Sequence, residues 1–166
     1  MESLQNFLSP KTIAVIGASD HQDKVGGILS KKISQSKAKF IPVNPNHKKL
    51  FGAKCYQKIL DYSGSIDMAI IAIPAPFVAQ VLEECGKKGI KDVIIISAGF
   101  SEIQNIRGEQ EIKNVAQKYK IRFLGPNCFG ICNPYKNLDA TFSATSPEKG
   151  GVAFISQSGA LWSYIS

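Results

Sequence analysis

Short apolar blocks rich in β-branched residues recur along the chain, each running into a turn of small or special residues, and most are separated by stretches with helical spacing. That alternation restricts the fold more than any other feature. Thr12-Ile13-Ala14-Val15-Ile16 runs into Gly17 and suits a strand buried on both faces. Val25, Leu29 and Ile33 then recur at helical spacing with lysines between them. Phe40-Ile41-Pro42-Val43 reads as a second strand, weakened by its proline and ended by the turn signal Asn44-Pro45-Asn46. Residues 66–73 form a third strand, 77–88 a helix with Val78, Val81, Leu82 and Cys85 inward, and 93–97 a fourth strand. Ile112, Val115 and Ala116 mark another helix, and Ile121-Arg122-Phe123-Leu124 a fifth strand. Parallel neighbours need a crossover and a helix is its usual content, so the expected fold is α/β, a doubly wound parallel sheet. Ligands of such sheets bind beyond the carboxyl ends of the strands, at the topological switch point. Gly17-Ala18-Ser19, Asn44-Pro45-Asn46, Pro74-Ala75-Pro76, Ala98-Gly99-Phe100 and Gly125-Pro126-Asn127 would therefore lie along one edge.

Beyond the fifth strand the pattern changes. Residues 133–150 are poor in apolar blocks and read as a connection, and Gly151-Val152-Ala153-Phe154-Ile155 reads as a new strand. The expected organisation is a domain over 1–132, a linker over 133–150 and the incomplete beginning of a second domain over 151–166. A length of 166 residues accommodates one complete domain and a fragment of another. The longest apolar stretch, around 68–76, is about half of the roughly 20 residues that a membrane span needs. The first residues carry neither a basic start nor a long apolar run, so no secretory signal is visible and the cytoplasm is the expected compartment.

The formal charge of +7, from 20 Lys and Arg against 13 Asp and Glu, favours an anionic partner. Its lysines are scattered over loops and helix ends without an aromatic stripe, which argues against nucleic acid. Cys55, Cys85, Cys128 and Cys132 are too sparse for a secreted disulfide framework, and Cys128 and Cys132 have no metal-binding companions in sequence. Reduced thiols and no zinc site are expected.

Gly17-Ala18-Ser19, with Gly26-Gly27 further on, suits a phosphate-binding turn: glycine lets the backbone approach an oxyanion and a helix start supplies free N–H groups. The small side chain of Ala18 fits that approach, and leucine there is expected to abolish ligand binding without loss of stability. The dinucleotide fingerprint G-x-G-x-x-G is absent, and Val43-Asn44-Pro45 stands where NAD-binding folds place an acid. Lys48 and Lys49 follow; a cation there suits the phosphorylated ribose of coenzyme A or NADP, and an exposed lysine pair on a loop accounts for it equally. Near the end, Ser156-Gln157-Ser158-Gly159-Ala160-Leu161 reads as a strand end and helix start able to hold phosphate, with Ser158 alternatively a simple N-cap.

Four motifs in register resemble a known family. Phe7 to Ser19, Ala98-Gly99-Phe100-Ser101-Glu102, Gly125-Pro126-Asn127-Cys128-Phe129-Gly130 and Gly151 to Leu161 look like the opening of the NDP-forming acyl-CoA synthetases, relatives of the succinyl-CoA synthetase alpha subunit. The resemblance covers essentially the whole chain. It implies a Rossmann-like CoA-binding domain followed by the start of a truncated flavodoxin-like ligase domain. It places Gly17, Ala18 and Ser19 at the CoA phosphates and Val43 with Lys48 or Lys49 at the adenosine end. Ile73, Pro74, Ala75 and Pro76 would form an apolar wall, Ala98, Gly99 and Phe100 the path to the thiol, and Asn127 the reacting end. Ser158 and Gly159 would bind phosphate. The family carries phosphate on a phosphohistidine of the ligase domain, expected beyond residue 166; His21 and His47 read as surface residues or CoA neighbours, so this chain supplies no catalytic residue and is not expected to act alone. Its partners would be CoA, a small carboxylic acid, ATP or GTP with Mg in the full-length enzyme, and further ligase and ATP-grasp domains or a beta subunit, with no nucleic acid and no membrane. Two other readings remain: a CoA-binding regulatory module of a protein lysine acetyltransferase fusion, and an NADP-binding module.

Overall fold

In β1 (Thr12–Ile16) the side chains of Ala14 and Ile16 enter one apolar layer and those of Ile13 and Val15 the other, as the two-residue period of a strand requires. The computed structural model describes residues 4–159 and Leu161. After a short α1 (Gln5–Leu8) and β1 come α2 (Val25–Ser34), β2 (Lys39–Val43) and a small hairpin of β3 (Lys49–Leu50) and β4 (Ala53–Lys54). Then follow β5 (Met68–Ile71), α3 (Val78–Lys87), β6 (Asp92–Ile95), α4 (Ile106–Tyr119), β7 (Arg122–Leu124) and a hairpin of β8 (Gly130–Asn133) and β9 (Leu138–Thr141).

The five main strands form one parallel sheet in the order β2-β1-β5-β6-β7. Ala69, Ile71, Val93 and Ile95 join Ala14 and Ile16 beneath Val78, Leu82 and Cys85 of α3 and Ile112 and Ala116 of α4. Met68, Ile70 and Ile94 join Ile13 and Val15 on the other face, against Leu29 and Ile33 of α2, Phe7 of α1 and Leu138 and Ala140 of β9. Each fully buried Ile or Leu contributes about 1.5–3 kcal/mol through burial, so the two layers are the main source of stability. The architecture is the expected Rossmann-like α/β sheet. Its β5 is shorter than the 66–73 block: Asp67 Oδ2 accepts the N–H groups of Lys11 (2.8 Å) and Thr12 (3.0 Å), and the Ile73 N–H turns to Ser97 Oγ (3.1 Å).

Two expectations from the sequence are corrected. Part of the connection over 133–150 is structured, because β9 pairs with β8 and buries Leu138 and Ala140 against α2. Lys32 Nζ and Asp139 Oδ2 form an ion pair of 2.7 Å there, mostly shielded from solvent. The strand expected over 151–155 does not form: this segment is exposed, with Val152 at 91% and Ile155 at 99%, and it meets no neighbouring strand among the described residues. A strand without a hydrogen-bonding neighbour leaves its backbone groups and apolar side chains to water. Ala160 and residues 162–166, where the following helix was expected, lie outside the described residues.

Among the described residues no helix is long and apolar enough to cross a membrane. All four cysteines are free thiols, and no group of three or more His, Cys, Asp or Glu is placed to hold a metal among the described residues. Burial pushes the Cys85 thiol up to about 12 and those of Cys128 and Cys132 up to about 11, which keeps them protonated and unreactive at neutral pH.

Candidate functional site

The strand order reverses between β1 and β5: the chain leaves β1 over one face of the sheet, by α2, and leaves β5 over the other, by α3. A crevice must open there, outside the carboxyl ends of the strands. Gly17 forms its floor. Its φ of +88° and the position of a Cβ, which would lie 2.2 Å from the Ala72 carbonyl oxygen, exclude every other residue from this turn without distortion. The Gly17 N–H donates to the Val43 carbonyl (3.0 Å), and the Ala18 N–H reaches the same oxygen (3.3 Å). Asn44 closes the corner: its Nδ2 donates to the Ala18 carbonyl (2.7 Å) and its Oδ1 accepts the Asn46 N–H (2.9 Å). Gly26 packs against the Gly17 carbonyl at a distance no Cβ would allow, so α2 begins directly behind the turn.

A cleft of about 530 Å³ lies over this corner. It gathers Gly17, Val43, Ile73 and Pro74, which the sequence had singled out, with Asn44, Phe77, Lys58 and Glu84. Phe77 is 57% exposed, a large aromatic face left open beside the cleft. Beyond Pro74 the loops form a continuous rim: Ala75 lies against Gly99, and the Asn127 N–H donates to the Ser97 carbonyl (2.9 Å). Ser97 therefore ties together the loops after β5, β6 and β7: its Oγ accepts the Ile73 N–H and donates to the Ile71 carbonyl (3.4 Å), while its main-chain carbonyl accepts the Asn127 N–H. In the β6 loop the N–H groups of Gly99 and Phe100 both donate to Glu102, and the Gly99 N–H holds that carboxyl below the usual carboxylate range.

Other sequence-selected residues fall outside the cleft. Ala18 is completely buried in the layer beneath α2, so its backbone alone faces the turn. Leucine at this position would overpack that layer; in contrast to the stability expected from the sequence, Ala18→Leu should cost about 1–3 kcal/mol in chemical denaturation. Ser19 is buried and engaged, its N–H donating to Ser30 Oγ (3.3 Å) and its Oγ accepting the His21 N–H (3.1 Å). Lys48 and Lys49 sit at the exposed β3–β4 hairpin and do not line the cleft. The Phe100 side chain is 1% exposed in the layer beneath α3 and α4 and offers no surface to a ligand. Ala98 and Pro76 are exposed on the rim, and Asn127 is exposed with a φ of +54°. Ser158 and Gly159 lie far along the chain from the cleft lining, and the Ser158 N–H donates to Ser156 Oγ (3.0 Å). His21 is exposed and His47 half-buried, and neither lines the cleft. Lys58, Glu84 and Ser97 were missed because each is a single polar residue without a periodic or motif signal.

A family model described as a CoA binding domain matches residues 11–134, which include all five strands of the parallel sheet and both sides of the cleft. The chain belongs to this family. It is 49% identical, over 94% of its length, to an ADP-forming acetate–CoA ligase of Methanocaldococcus jannaschii. It is 47% identical, over 95% of its length, to the alpha subunit of ADP-forming acetate–CoA ligase II of Pyrococcus furiosus. The chain spans only 22% and 35% of the lengths of these two relatives. A solved structure of a dinucleotide-forming acetyl-coenzyme A synthetase 1 from Ca. Korarchaeum cryptofilum, in complex with phosphate and ADP, superposes with a TM-score of 0.93 at 39% identity, covering 99% of this chain and 36% of that one. The CoA-binding domain described here is thus of the kind found in ADP-forming acyl-CoA ligases.

Proposed function

We propose that the chain is the CoA-binding portion of a cytoplasmic acid:CoA ligase, in which acyl-CoA formation is coupled to a nucleoside triphosphate, ATP or GTP with Mg, through a phosphohistidine outside this chain. The observation that carries the reading is the Gly17 turn opening into a cleft at the switch point, with a continuous rim from Pro74 past Gly99 to Asn127. An extended ligand with phosphates at one end and a thiol at the other matches that layout. The turn over Gly17, Ala18 and Ser19 would lie at its phosphates, with Gly17 the member of that turn that lines the cleft, and Val43 and Phe77 would meet its adenosine end. Ile73, Pro74, Ala75 and Pro76 would form the apolar wall, and Ala98, Gly99 and Asn127 would guide the thiol end outward. Lys48 and Lys49 stand outside as cations of the nearby hairpin.

The proposed division runs from a CoA-binding domain over 1–132, through 133–150, into the opening of a flavodoxin-like ligase domain over 151–166. That second domain, with ATP-grasp domains or a beta subunit, would supply the acid site and the phosphohistidine. Exposed Val152 and Ile155 support this, because apolar side chains so open to water need a covering surface. Ser158 and Gly159 would then complete a phosphate site only in that assembled state.

Side-by-side calorimetric titration of the chain with CoA, NADPH and NADH tests the reading. Saturable binding of CoA, with no comparable response to the nicotinamide nucleotides and no acyl-CoA formation by the chain alone, is the expected result. Preferential binding of NADPH would replace the proposal with a dinucleotide-binding function.

A further inference from the structure

We propose that Lys58, a residue outside every motif of the chain, reads the 3′-phosphate of the CoA ribose and gives the cleft its selectivity for a phosphorylated ribose. The inference rests on the CoA-binding reading above and adds to it the residue that supplies the charge. Among the described residues that line the cleft, Lys58 is the single cation and Glu84 the single carboxylate. A ligand bringing a pyrophosphate to the Gly17 turn and a further phosphate to the ribose adds negative charge beside Glu84. Without a cation inside the cleft, that placement is opposed by Coulomb repulsion and by the loss of phosphate hydration.

Lys58 is held ready for this contact. Residues leading to it run beside the end of β2: the Tyr56 N–H donates to the Pro42 carbonyl (3.0 Å) and the Asn44 N–H to the Tyr56 carbonyl (2.9 Å). Asp61 Oδ2 accepts the Lys58 N–H (2.9 Å), and Ile59, 1% exposed, anchors the next position in the core. The backbone is thereby fixed at the cleft wall. The Lys58 ammonium has no hydrogen-bond or ion-pair partner among the described residues, so its donors are open to a ligand. The neighbouring lysines are placed differently: Lys49 lies opposite Lys54 across the β3–β4 hairpin, and neither Lys48 nor Lys49 lines the cleft.

The test is calorimetry of the 166-residue chain with CoA and with dephospho-CoA, which lacks the 3′-phosphate. Lys58→Ala should weaken CoA about tenfold, as expected for one lost charge-assisted hydrogen bond, and change dephospho-CoA less than about twofold. Lys58→Arg should keep most of the preference for CoA, and the double change Lys48→Ala, Lys49→Ala should leave the ratio of the two affinities as in the unaltered chain. Because Lys58 is exposed, thermal unfolding of its variants should coincide with that of the unaltered chain. Equal losses for both ligands in Lys58→Ala, or equal affinities in the unaltered chain, overturn the proposal. A selective loss in the double variant with none in Lys58→Ala moves the role to the hairpin. An unaltered chain that binds neither form of CoA overturns the underlying reading itself.

Discussion

Gly17→Val is expected to abolish CoA binding and to destabilise the domain by about 3 kcal/mol or more, the sum of a strained backbone and a clash with main-chain atoms. At a φ of +88° an L side chain is disfavoured, and here the first atom of that side chain would lie 2.2 Å from the Ala72 oxygen and 2.9 Å from Ile73 Cγ2. Both atoms belong to the cleft wall after β5. The turn therefore cannot yield without moving the loop against which the ligand is proposed to lie. Chemical denaturation and CoA titration of the same variant check the two effects. Retention of CoA binding at full strength would show that the turn is only a structural joint and that the ligand lies elsewhere.

Arg122→Ala should have a comparable effect at the opposite end of the sheet, where no ligand is involved. Asp92 is completely buried at the start of β6, and its Oδ1 accepts from Arg122 Nε (2.8 Å) and pairs with Nη2 (2.6 Å). Its Oδ2 accepts from Asn6 Nδ2 of α1 (3.0 Å). Removing the guanidinium leaves a buried carboxylate with only a neutral partner, a loss of about 3–5 kcal/mol. Replacing both charged partners with apolar residues, Asp92→Leu with Arg122→Met, should restore most of that stability, since the penalty belongs to the uncompensated charge. The denaturation midpoints of the single and double variants decide this, and an equally unstable double variant would contradict it. CoA affinity of any folded Arg122 variant should be unchanged, because the pair lies at the amino ends of strands whose carboxyl ends carry the cleft.

The parallel sheet was legible in the sequence because buried strands need nearly continuous apolar blocks, and Ile13 to Ile16, 68–71 and 93–96 supply them with little ambiguity. The β8–β9 hairpin was not. Leu138 and Ala140 alternate with polar residues over too few positions to declare a strand, and their burial depends on α2, which lies far away in sequence. Conversely, Gly151 to Ile155 has the composition of a strand and forms none, since a strand exists only with a neighbour.

The same division runs through the site. By itself the sequence determined that small and special residues end each strand, Gly17 and Pro74 among them; Val43 and Ile73 were singled out through the family resemblance, and all four line the cleft. Tertiary structure decided which residues share the cleft. It buried the side chains of Ala18 and Phe100, set Lys48 and Lys49 on a hairpin outside, and brought Lys58 and Glu84, from a turn and a helix, to the cleft wall. The physical reason is that strand ends are set by local hydrophobic patterning, whereas the charge inside a cleft depends on which chain segments pack beside it, and that packing is governed by contacts between residues distant in sequence.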